Sequence, residues 1–135
     1  MLKKSPGVKK ASFLGALVGA TLALAAGASQ AVTPFEQDVS TSIDRGINWL
    51  VSAGAFNNPS SAGDAAGLPM LALLEKRASG IATDPPQGYV GASAADQGRL
   101  RTSAAYILDR VNESTFYAYR DGNFMFALAE YAVTG

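Results

Sequence analysis

The run Leu68-Pro69-Met70-Leu71-Ala72-Leu73-Leu74 is apolar at every position, and Phe124-Met125-Phe126-Ala127-Leu128-Ala129 has the same character further along the chain. Neither alternates as a half-buried strand would, and each suits a helix covered on all sides. A helix of a different kind precedes each run. Val39, Ile43, Ile47 and Leu50 are spaced four, four and three apart, which draws one apolar stripe on a helix beginning near Ser40. Leu100, Ala104, Ile107, Leu108 and Val111 draw a second stripe, with Arg99, Arg101, Asp109 and Arg110 off it. The order is amphipathic, wholly apolar, amphipathic, wholly apolar.

The breaker residues fall between these elements. Gly54 and Asn57-Asn58-Pro59-Ser60 end the first helix. Asp64 suits an N-cap for a second helix running to about Ala78, with Pro69 making its first turn irregular. Gly80 to Gly91, containing Asp84-Pro85-Pro86-Gln87-Gly88, reads as a linker. Ser93-Ala94-Ala95-Asp96 resembles a capping box for the third helix, and Asp121 reads as the cap of the fourth.

A shift of 57 residues lays Ile43 on Leu100, Ile47 on Ala104, Leu50 on Ile107 and Val51 on Leu108. The same shift lays Asp64 on Asp121, Leu71 on Leu128 and Ala72 on Ala129. One offset for both helices and both caps predicts two helical hairpin repeats over residues 40–135, with residues 32–39 as a linker. In such stacks the outer helix has one wet face, while the inner helix touches its partner and both neighbours and so needs no polar side. The last helix ends Tyr131-Ala132-Val133-Thr134-Gly135 with no polar cap. Further repeats, or another chain, are the expected cover for that hairpin.

The N-terminal residues carry a separate signal. Lys3, Lys4, Lys9 and Lys10 precede an apolar stretch from Ala11 to Ala28, which closes on Ser29-Gln30-Ala31. Basic, apolar and small-residue regions in that order predict a secretory signal peptide over residues 1–31, forming a helix before cleavage. The stretch is weakly hydrophobic for a span, so membrane contact is expected only through this segment before it is removed. The expected destination is periplasmic or extracellular. Beyond residue 31 seven bases stand against eleven acids, a formal charge of −4. That balance argues against a nucleic-acid partner, whose phosphates call for a basic face.

The chain has no Cys and no His. Disulfides, Ser-His-Asp and Cys-His catalysis and His or Cys zinc sites are therefore excluded by composition, and no cofactor or metal is expected. Five residues remain as candidate ligand or rim positions. Asp64 and Asp121, equivalent under the repeat, suit acid–base work at a cavity mouth or, more simply, helix caps. Tyr117, Tyr119 and Arg120, beside Phe116, suit stacking and cation–π contact with an apolar or sugar ligand, or packing over helix ends. Trp49 reads as an anchor between outer helices, Lys76-Arg77 as a solvated helix end, and Asn112-Glu113-Ser114 as an incidental glycosylation sequon.

Arg45-Gly46-Ile47-Asn48-Trp49-Leu50, followed by Leu68 to Arg77, resembles the prenyltransferase/squalene-oxidase repeat, and Phe116-Tyr117-Ala118-Tyr119-Arg120-Asp121-Gly122 is similar to secreted bacterial members of that group. The resemblance spans residues 40–135 and implies an all-α fold of stacked hairpins forming part of an α/α toroid. The departures are specific. Gly54 stands where the cyclase repeat has Gln, there is no second Trp, and the acid Asp-x-Asp-Asp signature, the zinc set and the thioester pair are all missing. A secreted helical-repeat segment with a binding or scaffolding role, lacking a complete active site, is the expectation. The alternative is the N-terminal part of a terpenoid cyclase-like or prenyltransferase-like enzyme with its catalytic residues beyond Gly135. Fold alone does not decide between them.

Overall fold

The computed structural model describes residues 32–77, 79–111 and 115–135. Residues 1–31, read above as a signal peptide, and Asn112-Glu113-Ser114, read as a sequon, lie outside these. Contacts divide the chain after Ala31, and every described residue belongs to the unit Val32–Gly135. That unit is all-α: α1 (Pro34–Ser52), α2 (Gly67–Leu74), α3 (Ala94–Arg110) and α4 (Ala118–Thr134), with short 3-10 turns at Pro59–Ser61 and Gly63–Ala65. No described helix is long and apolar enough to cross a membrane.

The helix starts differ from those expected, for local reasons. α1 begins at Pro34, so residues 32–39 are not a linker. Thr33-Pro34-Phe35-Glu36 is a capping box with Pro at the first helical position. The Thr33 N–H donates to Glu36 Oε2 at 2.7 Å, and the Glu36 N–H donates to Thr33 Oγ1 at 3.2 Å. The Thr33 N–H, the Thr33 hydroxyl and then the Ala82 N–H, all donating to the Glu36 carboxyl, hold it below its ordinary range. Periodicity counted from Val39 overlooked this cap. α2 is shorter than expected, starting at Gly67 and ending at Leu74 instead of running from Asp64 to Ala78. Its Pro69 sits in the first turn, where the missing N–H is one of the orphan donors anyway. α3 starts as the sequence predicts, the Asp96 N–H donating to the Ser93 hydroxyl at 3.2 Å.

Tertiary contacts set the helix directions. The chain leaving α2 returns along the first half of α1, through the 2.7 Å ion pair Lys76–Asp44 and the Ala82 N–H on Glu36 Oε1, so α1 and α2 are antiparallel. The start of α3 lies at the end of α4: the Val90 N–H donates to the Thr134 carbonyl at 3.1 Å, and the Tyr89 and Tyr131 rings meet edge-on at 5.0 Å. These two are antiparallel as well. Burial, with the Tyr89 ring beside it, pushes the Tyr131 phenol up. α2 and α4 run the same way. Gly67 lies against Asn123 near the start of α4, while Gly88 touches both Leu74 and Thr134 at the other end.

The segment read as a linker is a double cap. The Gln87 and Gly88 N–H groups donate to the Lys76 and Leu74 carbonyls at 2.7 and 3.0 Å, and Gln87 Nε2 donates to the Leu73 carbonyl at 2.6 Å. Two residues on, the Tyr89 N–H donates to Thr134 Oγ1 at 3.1 Å. The orphan carbonyls at the end of α2 and the last residue of α4 are thus satisfied by one short stretch of chain. The core gathers Phe56, Met70, Leu73, Leu74, Leu100, Ile107 and Phe124, all almost wholly buried. Each such side chain contributes about 1.5–3 kcal/mol through burial.

The wholly apolar helices are not buried all round. Leu68 and Ala72 on α2, and Met125, Phe126, Ala129 and Val133 on α4, are exposed. Trp49 is not an anchor either; it stands 67% exposed on α1. Burial at positions 57 apart follows a pattern. Ile47 and Ala104 are both buried, as are Met70 and Ala127, while Leu68 and Met125 are both exposed. Other positions differ in one of two senses. Phe35, Ile43 and Gly46 are exposed where Ala92, Leu100 and Ser103 are buried. Conversely, Pro59 and Pro69 are buried where Phe116 and Phe126 are exposed.

Candidate functional site

The five candidate residues come from one end of the molecule, where α2 and α4 begin. Asp64 lies in the Gly63–Ala65 turn, and no side-chain hydrogen bond caps either that turn or α2, so it is not the N-cap expected of it. Its backbone carbonyl instead accepts from Asn123 Nδ2 at 2.9 Å. Asp121 is not an N-cap residue either, because α4 begins three residues earlier with Tyr117 at the cap. Its carboxylate reaches back, and the Tyr117 N–H donates to Asp121 Oδ2 at 2.6 Å. The same orphan donor is satisfied, from inside the helix.

Arg120 is buried and engaged. Its Nε donates to Asp121 Oδ1 at 2.8 Å, and its Nη2 donates to the Thr115 carbonyl at 2.7 Å. The guanidinium therefore fastens the chain entering α4 rather than facing a ligand. Hydrogen bonding from Arg120 first, then from the Tyr117 N–H, holds the Asp121 carboxyl below its ordinary range. A carboxylate lowered in this way is a poor proton carrier near neutral pH. Tyr117 and Tyr119 are half-exposed, their rings 6.2 Å apart and tilted, and with Phe116 they present aromatic surface beside this buried pair.

The sign of the Asp121 shift yields a prediction. A carboxyl whose pKa is lowered by folding adds stability above its unfolded value, about 3.9. That stability is lost as pH falls through the lower folded value. Asp121→Asn should therefore flatten the dependence of unfolding free energy on pH below about 4, measured by denaturant titration at stepped acid pH. Parallel slopes for the two proteins would refute this role for Asp121.

One residue was overlooked at the sequence level. Asn123 accepts the Gly67 N–H at 2.9 Å through Oδ1, and its Nδ2 donates to the carbonyls of Asp64 and Tyr119. The starts of α2 and α4 are joined through this amide. The available signal was a lone amide at the head of an apolar run, a place where a polar side chain needs a partner. It is a structural bridge rather than a reactive group.

Two concavities flank α1. A groove of about 200 Å³ lies between Phe35, Val39 and Ile43 on one wall and Lys76, Ser79 and Gly80 on the other. A shallower hollow of about 550 Å³ runs past Ile43, Trp49, Leu50 and Ala72. Both are mainly apolar. No group of three or more acidic residues able to hold a metal ion occurs among the described residues. No protein-family model, curated protein or solved structure matches the chain.

Proposed function

We propose that this chain is an exported helical-repeat segment, its hairpins layered as in part of an α/α toroid, with a binding or scaffolding role and no complete active site of its own. Export rests on the order of basic, apolar and small residues ahead of Val32. The observation that carries the binding role is the apolar strip common to the two apolar helices. Leu68 and Ala72 on α2, and Met125 and Ala129 on α4, are exposed at positions 57 apart on helices that run the same way. Equal exposure at equivalent positions of two helices that run the same way supports reading these residues as one apolar face. Apolar surface held open on parallel helices suits a ligand with an extended apolar portion, or an amphipathic segment of a partner.

A fluorescent long-chain acyl probe tests this reading. Titration of the full chain should saturate, and Met125→Lys should weaken binding roughly tenfold, equivalent to about 1.4 kcal/mol. Val90→Lys, at another exposed apolar side chain away from the strip, should leave binding unchanged. Equal effects of the two substitutions, or no saturable binding, would count against the strip as a binding face. N-terminal sequencing of the exported protein should begin at Val32.

A further inference from the structure

The mismatches between positions 57 apart fall into two faces. On the first pair of helices Phe35, Ile43, Gly46 and Trp49 are exposed, whereas their counterparts on the second pair, Ala92, Leu100, Ser103 and Tyr106, are buried or half-buried. Ala92 lies just ahead of α3 and the other three within it, and α3 packs on α2 and on the Pro59–Ser61 turn. On the second pair Leu108, Phe116 and Phe126 are exposed. Their first-pair counterparts Val51, Pro59 and Pro69 are all buried or partly buried. The internal contact between pairs therefore joins a trailing face of the first to a leading face of the second. Among the described residues, one leading face, on α1, and one trailing face, on α3 and α4, have no such cover.

These free faces hold large exposed hydrophobic residues: Phe35, Ile43 and Trp49 on one, and Leu108, Phe116 and Phe126 on the other. Isolated apolar residues on a surface are ordinary, but here the exposure falls consistently on one member of each matched pair of positions. Each patch is also the counterpart of a surface that is already covered inside the chain. What covers the trailing face of the first pair is the leading face of a like pair, and the same chemistry is left open on α1.

We propose that the trailing face of one chain receives the leading α1 face of a second copy, continuing head to tail the contact that already joins the two pairs. This rests on the hairpin-repeat reading above, and it adds the partner and the two surfaces it uses. A contact between unlike faces does not close on itself as a two-fold dimer does; repeated, it builds rings or open rows. The leading face comes from the first helix of the described unit and the trailing face from its last two, so one chain presents each face once.

Sedimentation velocity of the full chain across a concentration series reads this directly. The wild-type protein should show a concentration-dependent ladder of species. Phe35→Lys blocks the leading face and Phe126→Lys the trailing face; each residue is more than half exposed, at 75% and 59%. Each variant alone should sediment as a monomer, while an equal mixture should form a 1:1 dimer and nothing larger, because only one unblocked pair of faces remains. Circular dichroism melts matching wild type establish that the variants fold. A monomeric wild-type protein, variants that still associate (as they would through the N-terminal apolar residues), or a mixture that stays monomeric would each overturn the proposal. Probe binding at Leu68 and Met125 should persist in both variants, so that loss of the binding role and loss of assembly are read separately.

Discussion

Gly67→Ala is expected to lower the melting temperature by roughly 10–20 °C, from a loss of about 3 kcal/mol on a unit of this size. A methyl group at Gly67 would overlap the backbone carbonyl and side-chain oxygens of Asn123, with the carbonyl carbon of Asn123 only 2.7 Å away. The obstacle is the backbone of α4, which cannot rotate aside as a side chain does. Either α2 and α4 separate or the Asn123 amide leaves the buried Gly67 N–H without its 2.9 Å acceptor. An unsatisfied buried donor costs about 1–3 kcal/mol, and overpacking a similar amount. The helical preference of Ala over Gly, about 1 kcal/mol, offsets only part of this. Gly46→Ala is the internal comparison. Gly46 is exposed within α1 and nothing lies within 4 Å of its added methyl. That substitution should stabilise by about 0.5–1 kcal/mol. Thermal melts of the two variants should move in opposite directions; movement in the same direction would show that the close approach of α2 and α4 has been misread.

Gly88→Ala should destabilise by about 3 kcal/mol for two separable reasons. Gly88 has φ +57°, a left-handed conformation that costs other residues about 1–2 kcal/mol. Its added methyl would also lie 2.6 Å from Thr134 Cβ, an overlap costing about 1–3 kcal/mol. The position matters because this stretch of chain caps α2 through Gly88 and meets the end of α4 through Tyr89 and Val90. Combining Gly88→Ala with Thr134→Gly removes the overlap and leaves the dihedral cost. The double-mutant cycle should therefore show a coupling of about 1 kcal/mol or more. Additivity of the two substitutions in urea unfolding would argue that Thr134 does not press on this turn.

The assembly and binding predictions depend on features that local structure does not supply. Arg120 and Asp121 show the difference. As a sequence they read as a charged pair near aromatic residues, suited to a ligand. Folded, the guanidinium is spent on Asp121 and on the Thr115 carbonyl, and the carboxylate on the Tyr117 N–H. What stays open is apolar: the Leu68–Met125 strip and the two end faces.

Periodicity in the sequence was enough for the helical class and for the place of each helix, because a helix repeats every 3.6 residues and its apolar stripe is written in nearest-neighbour spacing. Ser93 announced the start of α3 for the same reason, since a cap acts within three residues. Thr33-Pro34-Phe35-Glu36 is equally local, and it starts α1 a full turn ahead of the apolar stripe that begins at Val39. The path of α2 was not legible. Its short length, the double cap from Gln87 to Val90 and the Asn123 bridge rest on bonds between residues 11 to 59 positions apart. Composition also left open which side of an apolar helix would be covered. Leu73 and Leu68 have the same side chain, yet one is fully buried and the other 46% exposed. The tertiary structure decided that, because burial depends on which neighbour a face meets, and no residue carries that information alone.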